Sequence, residues 1–261
     1  MSEVLRTAEK PRALVTGASE GIGRAFAKRL AHEGWQVTCV ARNALRLHSL
    51  AEELVLINDA DHRVVVADLS SQAGVQQVRD ELFRYDYKLL VNNAGFGLYG
   101  RFYQQSLEKL DAMLAVNCSA LMHLSHAFLK VAKEGAALIN VSSGLAFAPY
   151  PVGAVYAATK SFVTSLSESL WLEHRHRGIY VMGLCPGVTE SRFSERAGGM
   201  GSKKPPEIIT ESAESLVETA IFALNKRSRP TVISGWYNKV ILAMLRLLTR
   251  RRIVLLMGKN P

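Results

Sequence analysis

Short apolar runs alternate with amphipathic stretches of helical period through most of this chain, and that alternation is what most narrows the folds open to it. Arg12–Thr16, Gln36–Ala41, His62–Ala67, Lys88–Val91, Ala136–Val141 and Ile179–Leu184 each read as a buried strand, and Pro230–Ser234 as a shorter one. Between them lie helical patterns. Ile22, Phe26 and Leu30 form one stripe, and Leu45, Leu47, Leu50 and Leu54 belong to the next. Further helices are expected over 71–84, 107–132, up to about His174, and over 211–225. Strand followed by helix, repeated, predicts an α/β fold: one doubly wound parallel sheet of about seven strands covered by helices on both faces.

Glycine and polar residues gather where these strands end, which is where such sheets bind ligands. T-G-A-S-E-G-I-G, residues 16–23, follows the first strand and opens a helix. Gly17, Gly21 and Gly23 let the backbone turn tightly and let a phosphate approach the N–H groups at the helix start. N-N-A-G at 92–95 follows the fourth strand, Ser142-Ser143-Gly144 the fifth and C-P-G-V-T-E-S the sixth. Phe96–Tyr103 reads as a loop at the mouth of a site, and 190–210, with its glycines and prolines, as a lid or loop. Asn117 falls among apolar residues; it is either a satisfied core amide or a group that holds a water.

The second strand ends in Ala41 and Arg42. An acidic residue there would accept from adenosine ribose hydroxyls and repel a 2′-phosphate. A guanidinium pairs with that phosphate, so NADP(H) is favoured over NAD(H). Glu20, a carboxylate near the phosphate, works against this choice, and an ordinary solvated residue is the plain alternative for Arg42.

Val155–Lys160, V-Y-A-A-T-K, sets Tyr156 and Lys160 one helical turn apart on one face. A phenol with an ordinary pKa of about 10 is a poor acid or base at neutral pH. A neighbouring ammonium is expected to lower that value, so that the tyrosine can exchange a proton with a substrate oxygen. Taken alone, the pair also suits a surface helix.

Together the motifs change that balance. Over about residues 10–235 the chain resembles the short-chain dehydrogenase/reductase family, whose fold is of the Rossmann type. T-G-x-x-x-G-x-G at 16–23, N-N-A-G at 92–95, Ser143 thirteen residues before Tyr156, Tyr156-x-x-x-Lys160 and P-G at 186–187 occur in family order. The resemblance implies a catalytic tetrad of Asn117, Ser143, Tyr156 and Lys160. Ser143 would bond the substrate oxygen and Tyr156 would give it a proton as hydride arrives from the nicotinamide. Lys160 would hold the nicotinamide ribose, and Asn117 would anchor a water in the proton relay. It further implies that Gly17, Ser19, Glu20, Gly21, Ile22 and Gly23 line the pyrophosphate and ribose. Arg42 would meet the 2′-phosphate. Asp68 and Leu69 would flank the adenine, Asn92 and Gly95 the adenosine side. Pro186, Gly187 and Thr189 or Ser191 would flank the nicotinamide amide. The activity implied is reduction of a ketone to a secondary alcohol, or the reverse.

Charge separates the chain into a body and a tail. The net charge is +9, and the nine Lys and Arg residues after Glu218, with no acidic residue among them, account for all of it. A neutral body excludes a global argument for nucleic-acid binding; any partner read from charge must meet the tail. Residues 236–261 are expected to be a basic, apolar extension to a domain of residues 1–235. Over 237–259 it interleaves leucines with cations, which suits an amphipathic helix on an anionic membrane surface or a helix packed on the body. Neither apolar run is long enough to span a bilayer. Tails of this kind in the family favour a small lipophilic carbonyl or alcohol substrate. The N-terminus has no secretory pattern and the three cysteines no ligand or disulfide spacing, so a cytoplasmic protein is expected, with contact at the inner face of a membrane. No metal site is read from the seven histidines. A homo-dimer or homo-tetramer is expected from family analogy. A non-catalytic NADP(H) sensor and a membrane-associated interaction protein are the alternatives.

Overall fold

The computed structural model describes residues 10–189 and 210–258. Strands β1 (Arg12–Thr16), β2 (Gln36–Ala41), β3 (Arg63–Val66), β4 (Tyr87–Asn92), β5 (Ala137–Val141) and β6 (Tyr180–Cys185) join β9 (Thr231–Ile233) in one sheet. Between the last two, β7 (Val188–Thr189) and β8 (Thr210–Glu211) form a two-stranded pair. The main sheet runs β3-β2-β1-β4-β5-β6-β9, and every neighbouring pair is parallel. Strand β1 is central, with Val15 facing Cys39 on one side and Val91 on the other. The chain winds outward from β1 to β3 and then returns to β4, so the strand order reverses beside β1. A crevice forms at such a reversal, beyond the carboxyl ends of the strands.

Strand alternation sorts the core into two layers. Ala13 and Val15 face Phe26 and Leu30 of α1 (Gly21–His32), Leu50 of α2 (Ala44–Ile57) and Ile221 of α7 (Ala213–Lys226). Leu14 faces the other way, toward Val78 of α3 (Gln72–Arg84) and Phe128 of α5 (Leu121–Val131). Side chains of both parities are buried because helices cover both faces, which is why β1 reads as a continuous apolar run rather than an alternating one. Helix starts are marked in sequence by Asn43, Ser71 and Ser212, each of which accepts from the N–H three residues on.

The stretch expected as one helix over 107–132 is α4 (Leu107–Leu114), a π turn at Ala115–Ala120, and α5. By length and composition Leu107–Val131 could cross a membrane, but half of its most apolar window is buried in the fold. Helix α6 (Ala154–His174) lies on the same face and carries the Tyr-Lys pair. The strand expected over His62–Ala67 is two residues shorter than expected, though the Ala67 N–H still reaches the Ala41 carbonyl at 3.0 Å.

The tail forms two helices, α8 (Trp236–Leu245) and α9 (Arg250–Met257), not one. Thr249 caps the second by accepting from the Arg252 N–H. Leu242, Leu245 and Ile253 pack with Ala148 and Phe147, from the stretch that follows Ser143. The extension therefore docks on the body beside the strand ends. Cys39 and Cys185 are buried free thiols, and Cys118 is half-buried.

Candidate active site

The glycine turn after β1 has no room for side chains. Gly17 and Gly21 have φ of 67° and 54°, in the region that favours glycine. A Cβ on Gly23 would lie 2.3 Å from the Gly17 carbonyl oxygen, so the first turn of α1 rests directly on the loop. Asn93 braces this arrangement: its Nδ2 donates to the Thr16 and Gly17 carbonyls at 2.9 and 3.3 Å. Thr16 Oγ1 in turn accepts from the backbone N–H groups of Asn93 and Ala94, both at 3.0 Å. The result is a bare backbone cradle at a helix N-terminus, with the shape and polarity that a pyrophosphate requires. Ser19 and Glu20 stand in the turn, and Ile22 packs into the core beneath it.

The Asn92 side chain, expected at the adenosine side, turns into the core, where Nδ2 donates to Asn140 Oδ1 and Ser125 Oγ, both at 3.0 Å. Gly95 sits beside the tetrad: a Cβ there would lie 3.0 Å from Asn117 Oδ1 and 3.5 Å from Lys160 Nζ.

Helix α6 brings Tyr156 and Lys160 against the end of β5. Ser142 ties helix to strand, donating to the Lys160 carbonyl at 2.8 Å and sharing a 2.7 Å hydrogen bond with Thr164. Lys160 Nζ donates to the Val141 carbonyl at 2.9 Å and lies 5.7 Å from the Tyr156 ring centre. The Ser143 hydroxyl lies close enough to the Tyr156 phenol to lower its pKa. Ser143 Oγ also accepts from the Leu145 N–H at 3.2 Å. Asn117 reaches the same cluster from the π turn. Its amide bonds the Phe96 backbone at both ends, accepting from N–H at 3.0 Å and donating to C=O at 2.9 Å, and donates to Thr159 Oγ1 at 3.1 Å. Thr159 then donates to the Tyr156 carbonyl at 2.7 Å. The side chain of Asn117 is thus a satisfied core amide. Asn117, Ser143, Tyr156 and Lys160 meet in one place.

The electrostatics correct the expectation for Tyr156. Burial pushes its phenol well above the ordinary value, Tyr99 adds to the rise, and the Ser143 hydrogen bond opposes it. Burial also lowers Lys160 to about 8, against opposing effects of Cys118 and Cys185. Sequence spacing registers that an ammonium is near a phenol. It does not register that both are only 6% and 5% exposed, and desolvation penalises either charged form.

At the end of β2, Arg42 is exposed. Burial raises the Asp68 carboxyl, but hydrogen bonds from Ser70 and the Arg42 charge outweigh it, and the net shift is downward. Leu69 beside it is buried. Glu20 Oε2 accepts from Arg46 Nη1 at 2.5 Å, so the carboxylate that opposed NADP(H) in the sequence is engaged by a second arginine of α2. The bare turn at Gly17 fits the pyrophosphate of a dinucleotide.

Beyond β6, the Pro186 carbonyl accepts from the Gly144 N–H at 2.7 Å, joining the P-G turn to the loop after Ser143. Gly187 is pressed by the tail: a Cβ on it would lie 1.9 Å from Asn238 Nδ2. Thr189 is in β7, and Ser191 and most of the expected lid at 190–210 lie outside the described residues.

Several working residues escaped the sequence reading. Asn93 was hidden behind its neighbour in N-N-A-G. Thr159 and Ser142 carried a weak signal as polar residues abutting Lys160 and Ser143. Tyr99 was covered only by the loop Phe96–Tyr103 read at the mouth of a site; its ring meets those of Tyr156 and Tyr150 edge-on, with centres 6.2 and 5.9 Å away.

Residues 11–200 match the family model described as short chain dehydrogenase. Sulfoacetaldehyde reductase 2 of Chromohalobacter salexigens is 37% identical over 197 residues, which is 71% of this chain and 76% of the relative. A short-chain dehydrogenase from Sphingobium yanoikuyae in complex with NADPH superimposes with a TM-score of 0.80 at 31% identity, covering 91% of this chain and 94% of that one. The bulky-bulky ketone specific alcohol dehydrogenase from Comamonas testosteroni gives a TM-score of 0.76 at 30% identity, covering 92% and 93%. The glycine cradle, the Ser-Tyr-Lys cluster and these likenesses agree: the chain belongs to the short-chain dehydrogenase family and is an oxidoreductase acting between alcohol and carbonyl with a nicotinamide dinucleotide.

Proposed function

We propose that the protein reduces a lipophilic ketone to a secondary alcohol with NADPH. The convergence of Ser143 and Tyr156 beside a buried Lys160, 5.7 Å from the Tyr156 ring centre, carries this reading. The bound cofactor supplies or accepts the hydride. In this reading Ser143 and Tyr156 present their hydroxyls to a carbonyl oxygen that gains negative charge as it is reduced; donors fixed there stabilise that charge. Burial keeps the proton on Tyr156 at neutral pH, which suits a group that must give it up to a forming alkoxide. Lys160, near 8, is mostly charged at neutral pH and has donors left beyond Val141 for the nicotinamide ribose. Asn117, with its amide spent on Phe96 and Thr159, fixes the π turn, and its part in a proton relay falls to backbone groups there.

Arg42, and the neutralisation of Glu20 by Arg46, support NADP(H) over NAD(H). The other cofactor contacts in this reading are Gly17, Ser19, Gly21, Ile22, Gly23, Asp68, Leu69, Gly95, Pro186, Gly187 and Thr189. Phe96, Leu98, Tyr99 and Leu145 packed around Tyr156 support an apolar substrate. Exposed Met122 and Val131 on α5 and Phe162 and Leu172 on α6 support a homo-dimer or homo-tetramer through those helices. The cationic tail supports a cytoplasmic protein whose residues 237–259 touch the inner face of a membrane.

The test is NADPH oxidation against ketones graded by chain length and ring size, with NADH in parallel. The reading expects turnover that rises with apolar size and prefers NADPH. Tight NADPH binding without turnover on any ketone would replace it with a nucleotide sensor.

A further inference from the structure

The tail helices enclose a half-open cavity of about 210 Å³ against the loop that follows Ser143. Leu242, Leu245 and Ile253 line it from the tail and Phe147 from the body, while Arg246 and Arg250 line it and are also exposed. We infer that this cavity takes one acyl chain of an anionic membrane lipid, with Arg246 and Arg250 holding its phosphate. The inference deepens, and rests on, the reading of 237–259 as a membrane contact.

Three observations lead there. The first is size. An apolar cavity of about 150 Å³ holds a benzene-sized guest, and whole drug-sized ligands need about 300 Å³ or more. A volume of about 210 Å³ suits a length of hydrocarbon chain and falls short of a whole drug-sized ligand.

The second is uncompensated charge. Among the described residues, every ion pair joins groups no later than Glu218; Lys239, Arg246, Arg250, Arg251 and Arg252 pair with none. Arg250, Arg251 and Arg252 occupy the first turn of α9, and no acidic residue does. Cations there oppose the helix dipole, whose positive end is the N-terminus. A phosphate beside that turn meets arginines and the dipole with the favourable sign.

The third is the surface around the opening. Met244, Leu247, Leu255 and Leu256 are more than half exposed, with Leu247 at 87%. Apolar side chains interleaved with unpaired cations match the boundary between acyl chains and anionic headgroups. A nucleic acid offers the charge but no use for the leucines. The occupied cavity would lie against the loop from Ser143 to Ala148, so a membrane-dissolved ketone would meet the site without crossing water.

The experiment is flotation of the full chain with vesicles of phosphatidylcholine alone or mixed with phosphatidylglycerol. Binding to the mixed vesicles only, weakened by salt, is expected. At roughly fivefold per charge, R251Q/R252Q, which is off the cavity, is expected to weaken it about 25-fold. R246Q/R250Q, equal in net charge but lining the cavity, is expected to cost clearly more than that. Equal losses from the two double variants would reduce the site to a diffuse cationic film and overturn the proposal, as would equal binding to both vesicle types. Water-soluble short-chain phosphatidylglycerol is expected to compete where inorganic phosphate does not; equal competition by phosphate removes the acyl chain. None of these readouts uses cofactor or turnover, so a failed ketone assay and a failed flotation assay remain separate results.

Discussion

The body of the molecule and its tail handle charge in opposite ways. Up to Glu218, cations and anions balance and pair across elements: Arg24 and Lys28 of α1 hold Glu53 of α2, and Arg63 of β3 holds Glu81 of α3. After Glu218 there is no anion to pair with, and the arginines face outward. The body also buries its apolar residues in two layers on a seven-stranded sheet, while the tail hides only a few and exposes more. A region that settles its own charges needs nothing further to be stable. A region that leaves them open is shaped for something outside itself.

Core truncations should break this contrast most strongly. Leu30→Ala in the body is expected to cost about 4 kcal/mol, and Leu245→Ala in the tail about 2 kcal/mol. Denaturant midpoints would show the first. Hydrogen exchange would show the second as faster exchange confined to 236–258; a global effect as large as that of Leu30→Ala would mean that body and tail are one cooperative unit.

Lys160 is the exception within the body, a buried cation without a carboxylate partner among the described residues. Its fall from an ordinary 10.5 to about 8 corresponds to roughly 3 kcal/mol held against the fold at neutral pH. Between about 8 and about 10.4 the unfolded chain keeps the lysine proton that the folded one loses, so Lys160 contributes a rise of stability with pH there, against the fall contributed by the buried thiols of Cys39 and Cys185. Lys160→Met should remove the rise. At neutral pH it should add about 1–2 kcal/mol net of the lost bond to Val141, and it should abolish turnover. The same pH dependence in the parent protein and in Lys160→Met would contradict the buried charge.

Arg42 tests an exposed cation at the end of β2. Arg42→Ala is expected to weaken NADPH binding about tenfold and leave NADH binding unchanged; titration of each nucleotide by fluorescence reads both. Equal changes would assign Arg42 to the surface. The smallest effect belongs to the seam. Gly187→Ala must move Asn238, and it is expected to cost under about 1 kcal/mol while speeding proteolysis within the tail. Unchanged proteolysis would show that Asn238 does not pin the tail.

The strands were legible because a parallel sheet covered on both faces needs continuous apolar runs, and Q-V-T-C-V-A or A-A-L-I-N-V suits little else. The first helices were legible from apolar stripes such as Ile22, Phe26 and Leu30. What escaped depended on tertiary context. Nothing local announces that 107–131 opens into a π turn at Asn117, because the demand comes from Phe96 and Thr159 elsewhere in the chain. The motif N-N-A-G names two asparagines but not which one turns inward; the last residue of β4 does. The Tyr-Lys spacing gave the right neighbours and the wrong direction for the Tyr156 shift, since burial is a property of the packed site. The break between α8 and α9 was written in Thr249 before three arginines, but the run of leucines masked it.

The most direct measurement is turnover by Tyr156→Phe on whichever ketone the parent protein reduces best, with NADPH affinity measured on the same sample. Tyr156 is expected to supply the proton and little of the nucleotide binding. Turnover should therefore fall by about 10²–10⁴ while NADPH affinity stays within about twofold. Undiminished turnover would contradict the assignment of Tyr156 as the proton donor, and with it the ketone-reducing mechanism built on the Ser143–Tyr156–Lys160 cluster.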